Sequence, residues 1–176
     1  GPSGDYVRFG MRSRPARTYD EYFWTPDGVG QIDGTNSPYS DRVGTISNGD
    51  ILMIALDLEN NALYFGKNGT WENSATASEI ANGTVTNAFA SGTTLIPNAG
   101  AAGDGHQYFF YCQCHGHGTN PDIIWNAGQD SSFVGTKTAQ GNSDSNGIGD
   151  FYYTPPTGFL ACCTSNMPEP TIGPKG

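Results

Sequence analysis

The residues best suited to chemistry stand together at Cys112-x-Cys114-His115-x-His117, within "QYFFYCQCHGHG". Thiolates and imidazoles in quick succession are the donors that zinc or copper uses. On a continuous strand, however, alternate residues share a face. The two cysteines then point one way and the two histidines the other. One tetrahedral ion collects all four only if the chain turns at His115 or Gly116, and the Gly-rich "HGHGTNPD" allows such a turn. The simpler reading puts two cysteines in a core and two loop histidines in solvent. It is the one adopted, so neither a structural metal nor a cofactor is expected. Cys162 and Cys163 are adjacent and, on a strand, would face opposite ways. A bridge within either pair is therefore awkward, and free thiols are expected.

Asp57 and Glu59 are paired carboxylates at alternate strand positions. Retaining glycosidases use such a pair as nucleophile and acid. Here the pair lies at the lip of a tight hairpin and no third acidic residue extends it. Solvated edge carboxylates are the expectation. No Gly-x-Ser-x-Gly elbow, phosphate loop or Gly-x-Gly-x-x-Gly turn occurs. Three histidines leave few acid–base options. The chain is therefore expected not to be an enzyme.

Aromatic residues offer a different chemistry. Tyr19, Tyr22, Phe23, Trp24 and Tyr39 lie in polar, turn-rich sequence, "TYDEYFWTPDGVGQIDGTNSPYSDR". Long connections tend to carry function. Sugar rings stack on Trp and Tyr, while Asp, Asn and Arg bind hydroxyls. The expected ligand-binding set is Tyr22, Trp24, Tyr39, Asp41 and Arg42, on a surface spanning 19–42. The alternative is that these aromatics cover a sheet edge. Tyr108, Phe110, Ile123 and Trp125 are expected to pack the core.

The elements that must position these residues are strands. "GDILMIALDLENNALYFGKNGTW", from residue 49, alternates apolar and polar residues around Asn60-Asn61, with a second turn at Asn68-Gly69. Both dipeptides tolerate the positive φ that tight hairpin turns demand. A two-residue turn at Asn60-Asn61 sets Leu58 opposite Leu63 and Leu56 opposite Phe65. Leu52, Ile54, Leu56, Leu58, Leu63 and Phe65 then share a buried face, and a one-residue slip would put it in water. The polar stretch 72–84 fits at most a turn or two of helix, ending near Gly83.

With 176 residues, 36% of them hydrophobic, and 25 glycines, the chain suits one domain of many short strands. The expected class is all-β, a two-sheet antiparallel sandwich. The net charge is −9, which excludes the basic footprint a nucleic-acid partner needs. Arg8, Arg12, Arg14 and Arg17 crowd the first 17 residues and read as a solvated strand end and loop. No apolar run approaches the length of a membrane span, so no membrane insertion is expected. Residues 1–4 read as a cleavage scar or linker, 5–170 as the domain and 171–176 as a flexible tail.

The hairpin resembles the central signature of the SPRY domain. Gly49-Asp50-Ile51-Leu52, Leu56-Asp57-Leu58-Glu59-Asn60, Leu63-Tyr64-Phe65 and Lys67-Asn68-Gly69 carry it. "DYVRFGM" (5–11), "SPYSDRV" (37–43), "TTLIPNA" (93–99) and "DIIWNAGQ" (122–129, with Ala127 at a usual Phe) follow in family order. "FYYTPPTGFLACCTSNMPEP" (151–170) is similar to the end of SPRY-like domains of bacteriophage structural proteins, with Met167 at a usual Leu. The resemblance implies a concanavalin-like or jelly-roll-like sandwich that binds partners through loops and is not catalytic. It implies a last strand around Phe159–Thr164. It also implies a virion protein whose partner is a host-surface glycan or another virion protein. A polysaccharide hydrolase or lyase, or an intracellular protein-binding adaptor, would be the alternatives. The family has a strand before the 5–11 segment, so 5–11 is expected at an open edge. Upstream sequence, a second copy or a different virion protein would fill that edge, and in a chain standing alone the strand around Phe159–Thr164 would cover it. Insertions at 72–92, 99–107 and 130–150 interrupt the pattern.

Overall fold

The computed structural model describes residues 6–14, 20–32, 42–92, 107–115 and 122–167. Packing divides the chain into two compact units, Gly1–Asp122 and Ile123–Gly176.

The first unit is all-β, with two antiparallel sheets and one short α-helix among its described residues. One sheet holds β1 (Tyr6–Arg14), β2 (Asp20–Trp24), β3 (Gly30–Ile32) and β8 (Gln107–His115) in the order β3-β2-β1-β8. The other holds β4 (Leu52–Asp57), β5 (Ala62–Lys67) and β6 (Thr70–Trp71) in that order, and β7 (Ala90–Ser91) also pairs with β5. The sheets meet through aromatic rings. Phe65 on β5 lies 5.9 Å from Phe9 on β1 and 6.0 Å from Trp24 on β2, centroid to centroid. Phe89 closes the cluster at 4.7 Å from Phe65. Offset and tilted aromatic pairs of this kind add to the burial of apolar area.

The hairpin forms where the sequence places it, but its register is two residues from the expected one. Leu56 pairs with Leu63 and Ile54 with Phe65. The connection is the four residues Leu58–Asn61 between Asp57 and Ala62, not a two-residue turn. Side chains decide this. The Asp57 carboxylate accepts from the Asn60 backbone N–H at 2.9 Å and from Asn60 Nδ2 at 2.8 Å, and Asn61 takes φ 55°. A shift of two preserves the side-chain parity, so the apolar face survives. Leu58 does not belong to it: it sits in the connection, 54% exposed. Leu52, Ile54 and Leu56 are half-buried, and β5 carries the burial. Leu63 and Phe65 face the other sheet, while Tyr64 on the opposite side reaches the Thr84 carbonyl at 3.0 Å.

Gly10 is required on β1. A Cβ there would collide with the Tyr22 carbonyl oxygen of β2, so any side chain would push the two strands apart. The predicted helix is α1 (Ala77–Ala81). Thr76 and Glu79 form a reciprocal capping box at its start. At its end Gly83, φ 69°, and the bonds Gly83 N–H to Ile80 O and Thr84 N–H to Glu79 O make a Schellman stop.

The expected open edge at 5–11 is corrected. β1 is an interior strand, paired with β2 on one side and with β8 along its whole length on the other. β8, not a neighbouring chain, fills that position. The expected core aromatics are corrected too. Phe110 and Ile123 are exposed, Tyr108 is half-buried, and Trp125 is half-buried in the second unit.

The second unit has no strand among its described residues. Its regular features are an isolated bridge between Asn142 and Phe151 and a 3-10 turn at Thr164–Asn166. The last strand implied around Phe159–Thr164 is absent, and the chain turns within 122–129 as well, for a physical reason. Asn126 Oδ1 gathers the N–H groups of Gly128, Gln129 and Asp130 at 2.8–3.2 Å and turns the chain there. Asp144 gathers the Ala161 N–H at 2.8 Å, where a ladder partner would otherwise be needed. Side-chain acceptors of this kind compete directly with sheet formation.

Candidate functional site

The predicted binding residues fall in three places. Tyr22 and Trp24 are fully buried on β2, with Trp24 Nε1 donating to the Gly44 carbonyl at 2.6 Å. They are core residues, which corrects the expectation that they line a loop surface. Polar neighbours disguised a strand: Tyr22 and Trp24 are two apart, so they share the face that meets Phe65. Arg42 is half-buried and its Nη1 donates to the carbonyls of Ala88 at 3.2 Å and Phe89 at 2.7 Å. That cation fastens two backbone segments. Tyr39 and Asp41 lie outside the described residues, as do His117 and the side chains of Cys114 and His115.

Asp57 and Glu59 do not share a strand face. Asp57 ends β4 and its carboxylate is engaged by Asn60, while Glu59 sits in the connection, exposed. Cys112 is half-buried. Among the described residues no group of three His, Cys, Asp or Glu side chains is arranged to hold a metal ion.

What the geometry does bring together is an arginine–aromatic layer on the outer face of the first sheet. Phe9 and Trp24 define the inner face, so Arg8, Gly10, Arg12, Phe23, Phe109 and Tyr111 share the outer one by alternation. The Arg12 guanidinium lies 4.3 Å from the Tyr111 ring centroid, and that of Arg8 lies 5.5 Å from Phe23. Phe23 and Tyr111 are 5.5 Å apart. The layer is continuous: guanidinium, ring, ring, guanidinium. A cation over a ring face is favourable, more so when partly desolvated, and both arginines are half-buried. Phe109, opposite Arg12 in the ladder, is 45% exposed and stands at the open end of the layer.

Sequence reasoning missed this largely buried layer by reading Arg8 and Arg12 as a solvated strand end and loop. The signal was present. Arg8, Gly10 and Arg12 recur at period two, which places both cations on one strand face.

The second unit concentrates ionised carboxylates. Burial pushes the Asp144 carboxyl up, but hydrogen bonds from the Ala161 N–H, Ile148 N–H, Asn166 side chain and Asn146 N–H outweigh it and hold it at about 2. Asp130 is held below the usual range by the Ser132 hydroxyl and the Val134 and Ser132 N–H groups, and Asp150 by Ser131. These carboxylates organise loops. A scan against family models, a search of curated proteins and a search of solved structures each found no match for this chain.

Proposed function

We propose that the chain is a non-catalytic recognition domain of a phage or virus particle that binds a host-surface glycan, or else another virion protein, through a β-sandwich. The SPRY-like signature along 49–71 and the phage-like segment 151–170 support the virion setting. The exposed Phe109 ring beside the Arg12–Tyr111 stack carries the choice of surface. A flat aromatic ring next to guanidinium groups matches a sugar ring that carries hydroxyl or acidic substituents. The engagement of Asp57 by Asn60 favours binding over hydrolysis, because a nucleophilic carboxylate must be open to its substrate.

The test is a glycan array paired with a reducing-end assay on the array's hits. Wild type should bind without releasing sugar ends. Phe109→Ala should lose at least ~2 kcal/mol of affinity at an unchanged melting temperature. Released sugar ends would establish a hydrolase or lyase in its place. Undiminished binding by Phe109→Ala would move the site elsewhere on the chain.

A further inference from the structure

We propose that Cys162 and Cys163 form a redox-addressable dithiol, which a small disulfide oxidises to a reversible bridge between the two neighbours. Both thiols are free in the structure; Cys162 is exposed and Cys163 half-buried. Residues 123–176 contain no other cysteine, so the unit offers the pair no third thiol.

The strand geometry that made this bridge awkward does not apply. The Cys163 N–H donates to the Ala161 carbonyl at 2.9 Å, a three-residue turn centred on Cys162. Cys163 then serves as N-cap of the 3-10 turn Thr164–Asn166. The dipeptide is clamped at both ends by one carboxylate. Asp144 Oδ2 accepts from the Ala161 N–H at 2.8 Å and from Asn166 Nδ2 at 2.7 Å, and Asn166 Nδ2 also reaches the Ala161 carbonyl at 2.9 Å. The same amide lies 3.8 Å from Cys163 Sγ as donor. The dipeptide therefore sits on a short loop whose base is closed, with the Cys162 side chain exposed.

The exchange runs in two balanced steps. The Cys162 thiolate attacks one sulfur of the small disulfide, forming a mixed disulfide and expelling one thiolate. The Cys163 thiolate then attacks the Cys162 sulfur, and the second small thiol leaves. Neighbouring Cα atoms stand about 3.8 Å apart, shorter than the roughly 4.4–6.8 Å of ordinary bridges. The closed form is strained and so easily reduced, which suits a switch better than a staple.

Trypsin separates the cysteines cleanly, because 138–175 contains Cys162 and Cys163 while 68–137 contains Cys112 and Cys114. The whole chain is treated with oxidised glutathione, alkylated and mapped by mass. The 138–175 peptide should lose two hydrogens and carry neither alkyl nor glutathione groups. Dithiothreitol should restore two alkylatable thiols. Cys163→Ser should trap glutathione on Cys162. A doubly alkylated peptide, a stable glutathione adduct in wild type or a cross-link to another peptide would overturn the proposal. Failure of Cys163→Ser to trap glutathione would overturn the order of attack.

Discussion

The two units of this chain are held together by different forces. The first is built by subtraction of water: Phe9, Trp24, Phe65 and Phe89 meet between two sheets, and β5 is buried on both faces. The second has few large buried apolar side chains. Ile123, Ile124, Val134, Leu160 and Met167 are exposed there. Its interior is polar instead. Ser131 is fully buried and its Oγ accepts from Gln140 and Gly141 N–H groups at 2.9 and 3.2 Å, while Asn126, Asp130 and Asp144 each gather several backbone donors. The lesson is that backbone groups deprived of a sheet ladder still have to be satisfied. A chain rich in Asp, Asn and Ser can do this loop by loop. Such a unit depends on ionisation; an aromatic core does not.

The largest expected effect lies in the aromatic core. Phe65→Ala removes the ring that touches Phe9, Trp24 and Phe89, and should cost about 3–5 kcal/mol by denaturant titration. An unchanged midpoint would mean that the sheets do not depend on their aromatic contact. A smaller effect should separate the units by pH. Asp144 has a folded-state value of about 2, below the 3.8 of a free carboxyl. Its contribution is therefore complete above the unfolded value and is lost as pH falls from there toward 2. Two-dimensional NMR should show resonances of 144–166 changing in that window while those of 63–65 hold. Asp144→Asn should abolish the step. Loss of both units together would erase the contrast. The smallest effect is Leu58→Ser, which should stay within ~0.5 kcal/mol of wild type because Leu58 sits in the connection. A loss of several kcal/mol would restore the two-residue turn.

These outcomes also mark how far the sequence could be read. The all-β class, the hairpin and the helix stop at Gly83 are visible in it, because parity and turn residues are local signals. The register was two residues off because Asp57 closes the connection through Asn60, and a carboxylate–amide contact leaves no periodicity. Tyr22 and Trp24 were placed on a surface because Asp20, Glu21 and the following turn made a strand look like a loop. The arginine–aromatic layer escaped because its rings come from β2 and β8 and its cations from β1. Only the pairing of strands distant in sequence brings them into contact. A last strand was expected around Phe159–Thr164 because Asp144 looks like an ordinary polar residue until its backbone partners are seen.

The pairing of β1 with β8 has a consequence in time. Tyr6 lies opposite His115 and Arg14 opposite Gln107, so β1 must wait for a partner made about a hundred residues later. At roughly 5–20 residues per second of synthesis, that delay is on the order of 5–20 s on the ribosome. β2 can cover one edge of β1 at once, while the other stays open until β8 emerges. Long-range closure of this kind slows folding and prolongs the exposure of strand edges. A chain that ends before Gln107 forfeits the whole β1–β8 ladder. The first sheet is thus completed only when β8, its last strand among the described residues, has been made.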